Sequence, residues 1–177
     1  MDDITFISPV TLIELFMGSG QPEQSVDMKL FLDLDGVLAD FDRGVELVTG
    51  RRPQQLPVKA MWKALAKHPD FYGTLELMHD AEVLWEFCRP HGPTILTGLP
   101  MGDWAPEQKR RWVGAMLGHN VPVITCMTRD KHRFSGPGHV LVDDRAGTKQ
   151  PWEASGGTFI LHTSAAGSIA ELKHLGF

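Results

Sequence analysis

The sequence predicts an α/β fold with a mainly parallel sheet. Two observations carry that reading. Short apolar runs of strand length alternate along the chain with segments of helical periodicity, the pattern of strand–helix–strand units. Several of those runs end in carboxylates, in a threonine–glycine step or in a loop with a lysine, and parallel α/β sheets bind ligands beyond the carboxyl ends of their strands. The 177 residues are enough for one domain, or one domain with a small insert, and for a substantial core.

Composition narrows the class. Hydrophobic residues make up 42% and charged residues 22%, an ordinary globular balance. The net charge of -5 argues against a partner that is a nucleic-acid polymer held by bulk positive charge. Small phosphorylated substrates stay open, because a bound metal can supply the local charge. Cys88 and Cys126 both lie among apolar residues, which suggests core positions and a reduced, cytoplasmic protein rather than a disulfide scaffold. No apolar run approaches about 18 residues, so no membrane span is expected. Asp2 and Asp3 stand where a secretory signal would carry basic residues.

In chain order, residues 1–28 read as an N-terminal helical extension and linker, with Ser8 as N-cap, Pro9 in the first turn and Gly18 to Pro22 as the stop. Lys29 to Leu34 is the first strand. Residues 41–50 and 57–67 read as helices, the first stopped by Gly50 and the second carrying Met61, Trp62 and Leu65. Residues 71–75 form an irregular aromatic segment. The stretch 41–79 is too short for an independent domain but long enough for a lid, which divides the chain into a core of 29–40 plus 80–177 and an insert between them. Asp80 is placed to N-cap a helix carrying Val83, Leu84, Phe87 and Cys88. Then come a strand over Thr94 to Thr97, a helix over Pro106 to Leu117 and a strand over Val121 to Cys126. A polar loop covers Arg129 to Arg133, and the strand His139 to Val142 runs into Asp143-Asp144. A loop with Trp152, a strand over Thr158 to Leu161 and a helix over Ser168 to Leu175 close the chain.

The strand ends carry the chemistry. In an extended segment Asp33 and Asp35 share a face, and two such carboxylates at a buried strand end repel each other and lose hydration. A divalent cation relieves this, and oxygen ligands suit magnesium. Gly36 lets the backbone turn away, and the following ends supply Thr97, Gly98, Lys131, Asp143 and Asp144. Singly, each has an ordinary reading: Thr97 as a β-former, Lys131 as a solvated loop charge, Asp143-Asp144 as a turn. Together they are the parts of phosphoryl transfer: a nucleophilic carboxylate, a metal site, a lysine against phosphate, and a hydroxyl with backbone N–H groups for its oxygens. His68, His91, His119, His132, His139 and His162 show no zinc-ligand spacing.

Asp33-Leu34-Asp35-Gly36-Val37, Thr97-Gly98, Lys131 and Val142-Asp143-Asp144 resemble the four motifs of the haloacid dehalogenase (HAD) superfamily, over residues 29–163. Within it, Asp33 to Asp42, Phe71 to Glu76, Gln108 to Val113, Thr128 to Lys131 and Trp152 ahead of Gly156-Gly157 resemble the 5′(3′)-deoxyribonucleotidase branch. The resemblance implies a three-layer Rossmann-like core with a small helical cap inserted after the first strand. It implies a magnesium-dependent phosphomonoesterase, 5′-nucleotidase-like, acting on (deoxy)nucleoside monophosphates. A HAD phosphatase for a sugar phosphate and a non-catalytic binding module of the same fold are the alternatives. Asp33 would be the nucleophile and Asp35 the acid and base. Thr97 and the Gly98 N–H would hold phosphate oxygens, and Lys131 would offset charge. Magnesium would take the Asp33 carboxylate, the Asp35 carbonyl and Asp144, with Asp143 behind or through water. Phe41, Phe71, Tyr72 and Trp62 are candidates to line the cap and stack on the substrate, or to form the cap's own core. Trp112 and Trp152 read as packing residues, and Arg145 either orients a carboxylate or lies on the surface.

Overall fold

The structure, a computed structural model, describes residues 27–177, so the helical extension expected near the N-terminus lies outside the described residues. Five strands form one parallel sheet in the order β3-β2-β1-β4-β5. They are β1 (Lys29–Leu32), β2 (Thr94–Gly98), β3 (Val123–Cys126), β4 (His139–Asp143) and β5 (Thr158–Leu161). The strand that leads into the two aspartates is therefore central, and it ends at Leu32, two residues short of the Leu34 expected. Phe31 and Leu32 pair with Thr94 and Ile95 on one side, and Lys29 to Leu32 pair with His139 to Val142 on the other. One further bond, from Asp33 N to Val142 O at 2.9 Å, carries the ladder to the first aspartate. That register puts the ends of β2 and β4 on either side of Asp33.

Alternation along β1 feeds two cores. Leu30 and Leu32 join the larger apolar cluster, while Phe31 joins Leu96, Leu141, Trp152 and Phe159 on the opposite face. Among the described residues there are six α-helices: α1 (Phe41–Thr49) and α2 (Val58–Leu65) in the insert after β1, then α3 (Ala81–Cys88), α4 (Ala105–Met116), α5 (Lys149–Ala154) and α6 (Ala165–His174). The segment around Trp152, expected as a loop, is the short helix α5. Trp152 explains it: the ring is fully buried, meets Phe31 edge-on at 5.6 Å, and donates Nε1–H to Thr158 O at 3.0 Å. A Cβ on Gly157 would stand 2.3 Å from that indole nitrogen, so the strand's approach requires glycine there.

Other elements depart from expectation for similarly local reasons. Thr128–Phe134 is 3₁₀ rather than open loop, held by Asp130 N to Met127 O and Ser135 N to His132 O. α6 starts at Ala165 because Ser164 caps it, accepting from Gly167 N. Asp80 occupies the N-cap position of α3, and its carbonyl accepts from Leu84 N, but its side chain makes no bond to that helix; its Oδ2 accepts from Ala165 N at 2.6 Å and so satisfies the start of α6. Cys126 is only half-buried, since β3 is an edge strand, while Cys88 is in the core.

The insert after β1 is closed at its base by Asp40 N to Glu76 O (2.9 Å) and Met78 N to Leu38 O (2.8 Å). α1 and α2 pack on each other above this stem. Val45, Met61, Leu65, Phe71, Tyr72 and Leu75 belong to the same apolar cluster as the sheet residues, so the insert shares the core of the sheet. Among the described residues no helix is long and apolar enough to cross a membrane.

Candidate active site

A cavity of about 360 Å³ opens where the carboxyl ends of β1, β2 and β4 meet the insert. From the sheet it receives Asp33, Asp35, Gly36, Gly98 and Asp144; from the insert, Phe41, Trp62 and Tyr72. The sheet end is thus acidic and the insert end is largely apolar.

Two buried lysines organise the acids. Lys131 is 1% exposed; its Nζ donates to Asp143 Oδ2 at 2.7 Å and stands 2.9 Å from Asp33 Oδ1, close enough for an ion pair but off-angle for a hydrogen bond. Lys109, from α4, is 0% exposed. Its Nζ donates to Asp35 Oδ2 (2.7 Å), Thr97 Oγ1 (2.8 Å) and Gly98 O (2.8 Å), and it sits 4.4 Å from the centre of the Tyr72 ring. All three ammonium protons are used, which is what a lysine needs to remain buried. The outer carboxylates are then distinguished by what remains open on them. Asp143 has both oxygens engaged, Oδ2 by Lys131 and Oδ1 by Arg145 N at 2.8 Å. Asp33 Oδ1 and Asp35 Oδ1 are buried without a hydrogen-bond partner. One oxygen each from Asp33, Asp143 and Asp144 lies within 4.8 Å of the others, a spacing that could hold a metal ion.

Burial pushes the Asp35 carboxyl above its ordinary value; Lys109 opposes this and Asp33 adds to it. Burial, then the repulsion of Asp33 and of Asp143, push Asp144 up to about 7, against Arg145 and Lys131. Asp144 itself reaches solvent, and screening by water works against that shift. Burial also raises the Tyr72 hydroxyl, so it stays protonated; it has no hydrogen-bond partner among the described residues.

Glycine is required twice. Gly36 has φ +79°, and a Cβ there would fall 2.3 Å from Asp144 Oδ2. A Cβ on Gly98 would fall 2.3 Å from Thr128 Oγ1. Thr97 lies at the end of β2 as expected, yet is fully buried with its hydroxyl accepting from Lys109; the threonine lining the cavity is Thr128. Phe41, Trp62 and Tyr72 line the cavity, whereas Phe71 is fully buried behind Phe41 and Tyr72, edge-on to both at 5.6 and 5.0 Å. Arg145 lines the cavity, and its backbone holds Asp143.

Sequence reasoning assigned no role to Lys109 or Thr128. The signal for Lys109 was its helical phase. Ala105, Gln108, Lys109, Trp112 and Val113 form one buried face of α4, and a charge on such a face requires a partner. Gln108 shares that face and accepts from Tyr72 N at 3.0 Å.

No family model matches the chain, and no curated protein matches it. Among solved structures it is similar to a HAD-superfamily hydrolase from Ehrlichia chaffeensis, at 12% identity and a TM-score of 0.52, covering 83% of this chain and 96% of that one. A hydrolase from Streptococcus pneumoniae TIGR4 is 14% identical with a TM-score of 0.47, covering 83% and 96%. A HAD phosphatase from Thermococcus onnurineus is 14% identical with a TM-score of 0.44, covering 84% and 98%. The first of these carries the fold assignment: a five-stranded parallel α/β sheet matching HAD-fold hydrolases.

Replacing Lys109 by Met tests the inner ion pair. It leaves Asp35, whose side chain is 25% exposed at the cavity, without its cation, which costs about 2 kcal/mol of stability at neutral pH, less than for a fully buried pair. The Asp35 carboxyl, already raised, rises further, and a carboxyl raised by folding destabilises only above its unfolded value. The deficit measured by urea unfolding is therefore expected to shrink as pH falls toward about 4.

Proposed function

We propose that this chain, built on the fold of HAD-superfamily hydrolases, is a magnesium-dependent phosphomonoesterase that passes the phosphoryl group through Asp33 and acts on nucleoside monophosphates. One observation carries the reading. Asp33 has a carboxylate oxygen free of hydrogen bonds, next to a buried ammonium on one side and to Asp35, a carboxyl raised above its ordinary value, on the other. A nucleophile, its counter-charge and an acid/base thus meet in one cavity.

The residues fit a magnesium ion. One oxygen each from Asp33, Asp143 and Asp144 lies within 4.8 Å of the others, and Lys131 pairs only with Asp33 and Asp143, so a cation would relieve the crowding of Asp144 against them. The unbonded oxygen of Asp33 and the hydrogen-bond-free carboxylate of Asp144 support these two as direct ligands, with the Asp35 carbonyl as a third. Asp143, engaged by Lys131 and Arg145 N, is better suited to position its neighbours. When bound, magnesium supplies positive charge against the phosphate oxygens.

In the first step an Asp33 oxygen forms a bond to phosphorus while the bond to the leaving oxygen breaks, and Asp35 gives its proton to that oxygen. In the second, Asp35 takes a proton from water as the water oxygen bonds to phosphorus, and the Asp33–phosphorus bond breaks to release inorganic phosphate. Lys131 offsets the charge of phosphate and nucleophile, and the Gly98 N–H, at the cavity wall, serves the phosphate oxygens; Thr97, buried against Lys109, acts from behind that wall. Lys109 is a positioning residue: it fixes the Asp35 carboxylate and the Thr97 hydroxyl relative to each other.

The insert supports the substrate class. Phe41 and Trp62, their rings 5.6 Å apart, line the cavity with Met61 and Val58, which supports a flat, apolar group such as a base beyond the phosphate. Tyr72 adds an unpartnered hydroxyl. A sugar phosphate is the second reading, supported by the polar pair in the same wall, where Gln54 Nε2 donates to Asp42 Oδ2 at 2.9 Å.

A phosphate-release screen over nucleoside monophosphates and sugar phosphates, with magnesium present or chelated, tests this. Magnesium-dependent turnover of nucleotides is expected, with Asp33→Asn losing at least about a thousandfold in kcat while melting as the parent does. Turnover of sugar phosphates alone would replace the substrate class, and full activity in Asp33→Asn would remove the mechanism. Magnesium binding gives a second check. Below pH 7 the ion must displace a proton from Asp144. The magnesium concentration that half-saturates the rise in melting temperature is expected to increase, by up to about tenfold per pH unit, as pH drops from 7, and to be flat above it.

A further inference from the structure

A second cavity, of about 320 Å³, adjoins the first, and the two share Thr128 and Arg145. One wall is the 3₁₀ segment Thr128–Phe134, which contributes Thr128, Arg129 and His132. The other is the turn after Asp144, with Arg145, Gly147 and Thr148, closed by Pro151. None of Asp33, Asp35, Lys131 and Asp144 lines it.

Its lining groups point to an anion. It contains two arginines and no carboxylate. Among the described residues no carboxylate lies within ion-pair distance of Arg129 or Arg145, whereas the neighbouring Arg133 is paired with Asp130. His132 is fixed by the 2.8 Å contact of its Nδ1 with Arg129 O, which ties two of the lining residues together. Thr148 is 6% exposed, and its Oγ1 has no hydrogen-bond partner. A buried hydroxyl left unpaired is costly, and here it belongs to a residue of a cavity lined by cationic side chains. Arg129 and Arg145 are exposed at the cavity mouth, and Thr148 and Pro151 lie in its wall, so an anion held there would meet both guanidinium groups and the unpaired hydroxyl together.

We propose that this cavity is a subsite for a second phosphate carried by the substrate. The inference rests on the phosphatase reading above: with the scissile phosphate at Asp33, the shared Arg145 and Thr128 lie between it and the second group, which Arg129 receives. The preferred substrates are then bisphosphorylated compounds.

The test uses the full chain with magnesium and two matched pairs of ligands, a deoxynucleoside 5′-monophosphate with its 3′,5′-bisphosphate and a hexose 6-phosphate with its 1,6-bisphosphate. Affinities are measured by calorimetry in the Asp33→Asn background, where turnover does not interfere. In at least one pair the bisphosphate is expected to bind about tenfold or more tighter, the scale of one charge-assisted hydrogen bond to phosphate. Adding Arg129→Ala removes that preference, Arg129→Lys restores part of it, and monophosphate binding is unchanged by either. Equal affinities within both pairs, or an equal loss of mono- and bisphosphate binding in Arg129→Ala, overturns the subsite. So does inorganic phosphate alone binding in an Arg129-dependent way with no bisphosphate preference, since that is a free-anion site. Failure of the phosphatase reading is separate: the parent protein then releases phosphate from none of the four compounds, whatever the binding results.

Discussion

The mutual repulsion of four carboxylates at one end of a parallel sheet is the constraint on which the rest depends. Asp33 and Asp35 follow the central strand, and Asp143 and Asp144 end the strand beside it. Such a cluster is costly to bury. Two lysines, each almost without solvent contact, divide it: Lys131 joins Asp33 and Asp143, and Lys109 takes Asp35. The division also bears on the proposed chemistry. It leaves free oxygens on the residue proposed as nucleophile and on the residue proposed as acid/base, and it leaves Asp144, alone among the four, without a lysine.

Topology makes this arrangement possible. With β1 in the middle of the order, the ends of β2 and β4 flank it, and one extra ladder bond carries Asp33 to the limit of the sheet. The insert returns to its own starting point through the backbone bonds at Asp40 and Met78, so its helices hang over the acidic end. Phe71 and Tyr72 tie it to the common core, while Phe41 and Trp62 face the cavity. The inferred anion subsite lies beyond Asp144, on residues of the 3₁₀ segment and α5 turn. A substrate would then be read from two sides, by aromatic rings on one and arginines on the other.

Much of this was legible in the residues because it is local. Asp33, Asp35 and the Asp143-Asp144 pair stand out because apolar runs end in charge, and Gly36 and Gly98 mark the close approaches beside them. What escaped was long-range. Lys109 meets Asp35 across 74 positions, and Asp80 caps a helix 85 positions away instead of its own. A side-chain partner at that separation leaves no trace in spacing; the trace for Lys109 was a charge on a buried helix face. The short α5 escaped because six residues with a central proline carry little periodicity, and its reason for forming is Trp152 against Phe31. Thr128 escaped because its approach to Gly98 depends on how two strand ends pack.

The central claim is that Asp33 itself carries the phosphoryl group. The most direct measurement is to quench the enzyme during turnover of its best substrate, reduce acyl phosphates with borohydride and map the product by peptide mass spectrometry. An aspartyl-phosphate is reduced to homoserine, so the account predicts that conversion at position 33 alone, dependent on both substrate and magnesium. Turnover with no reduced residue, or with reduction at Asp35, Asp143 or Asp144 in place of Asp33, would contradict it.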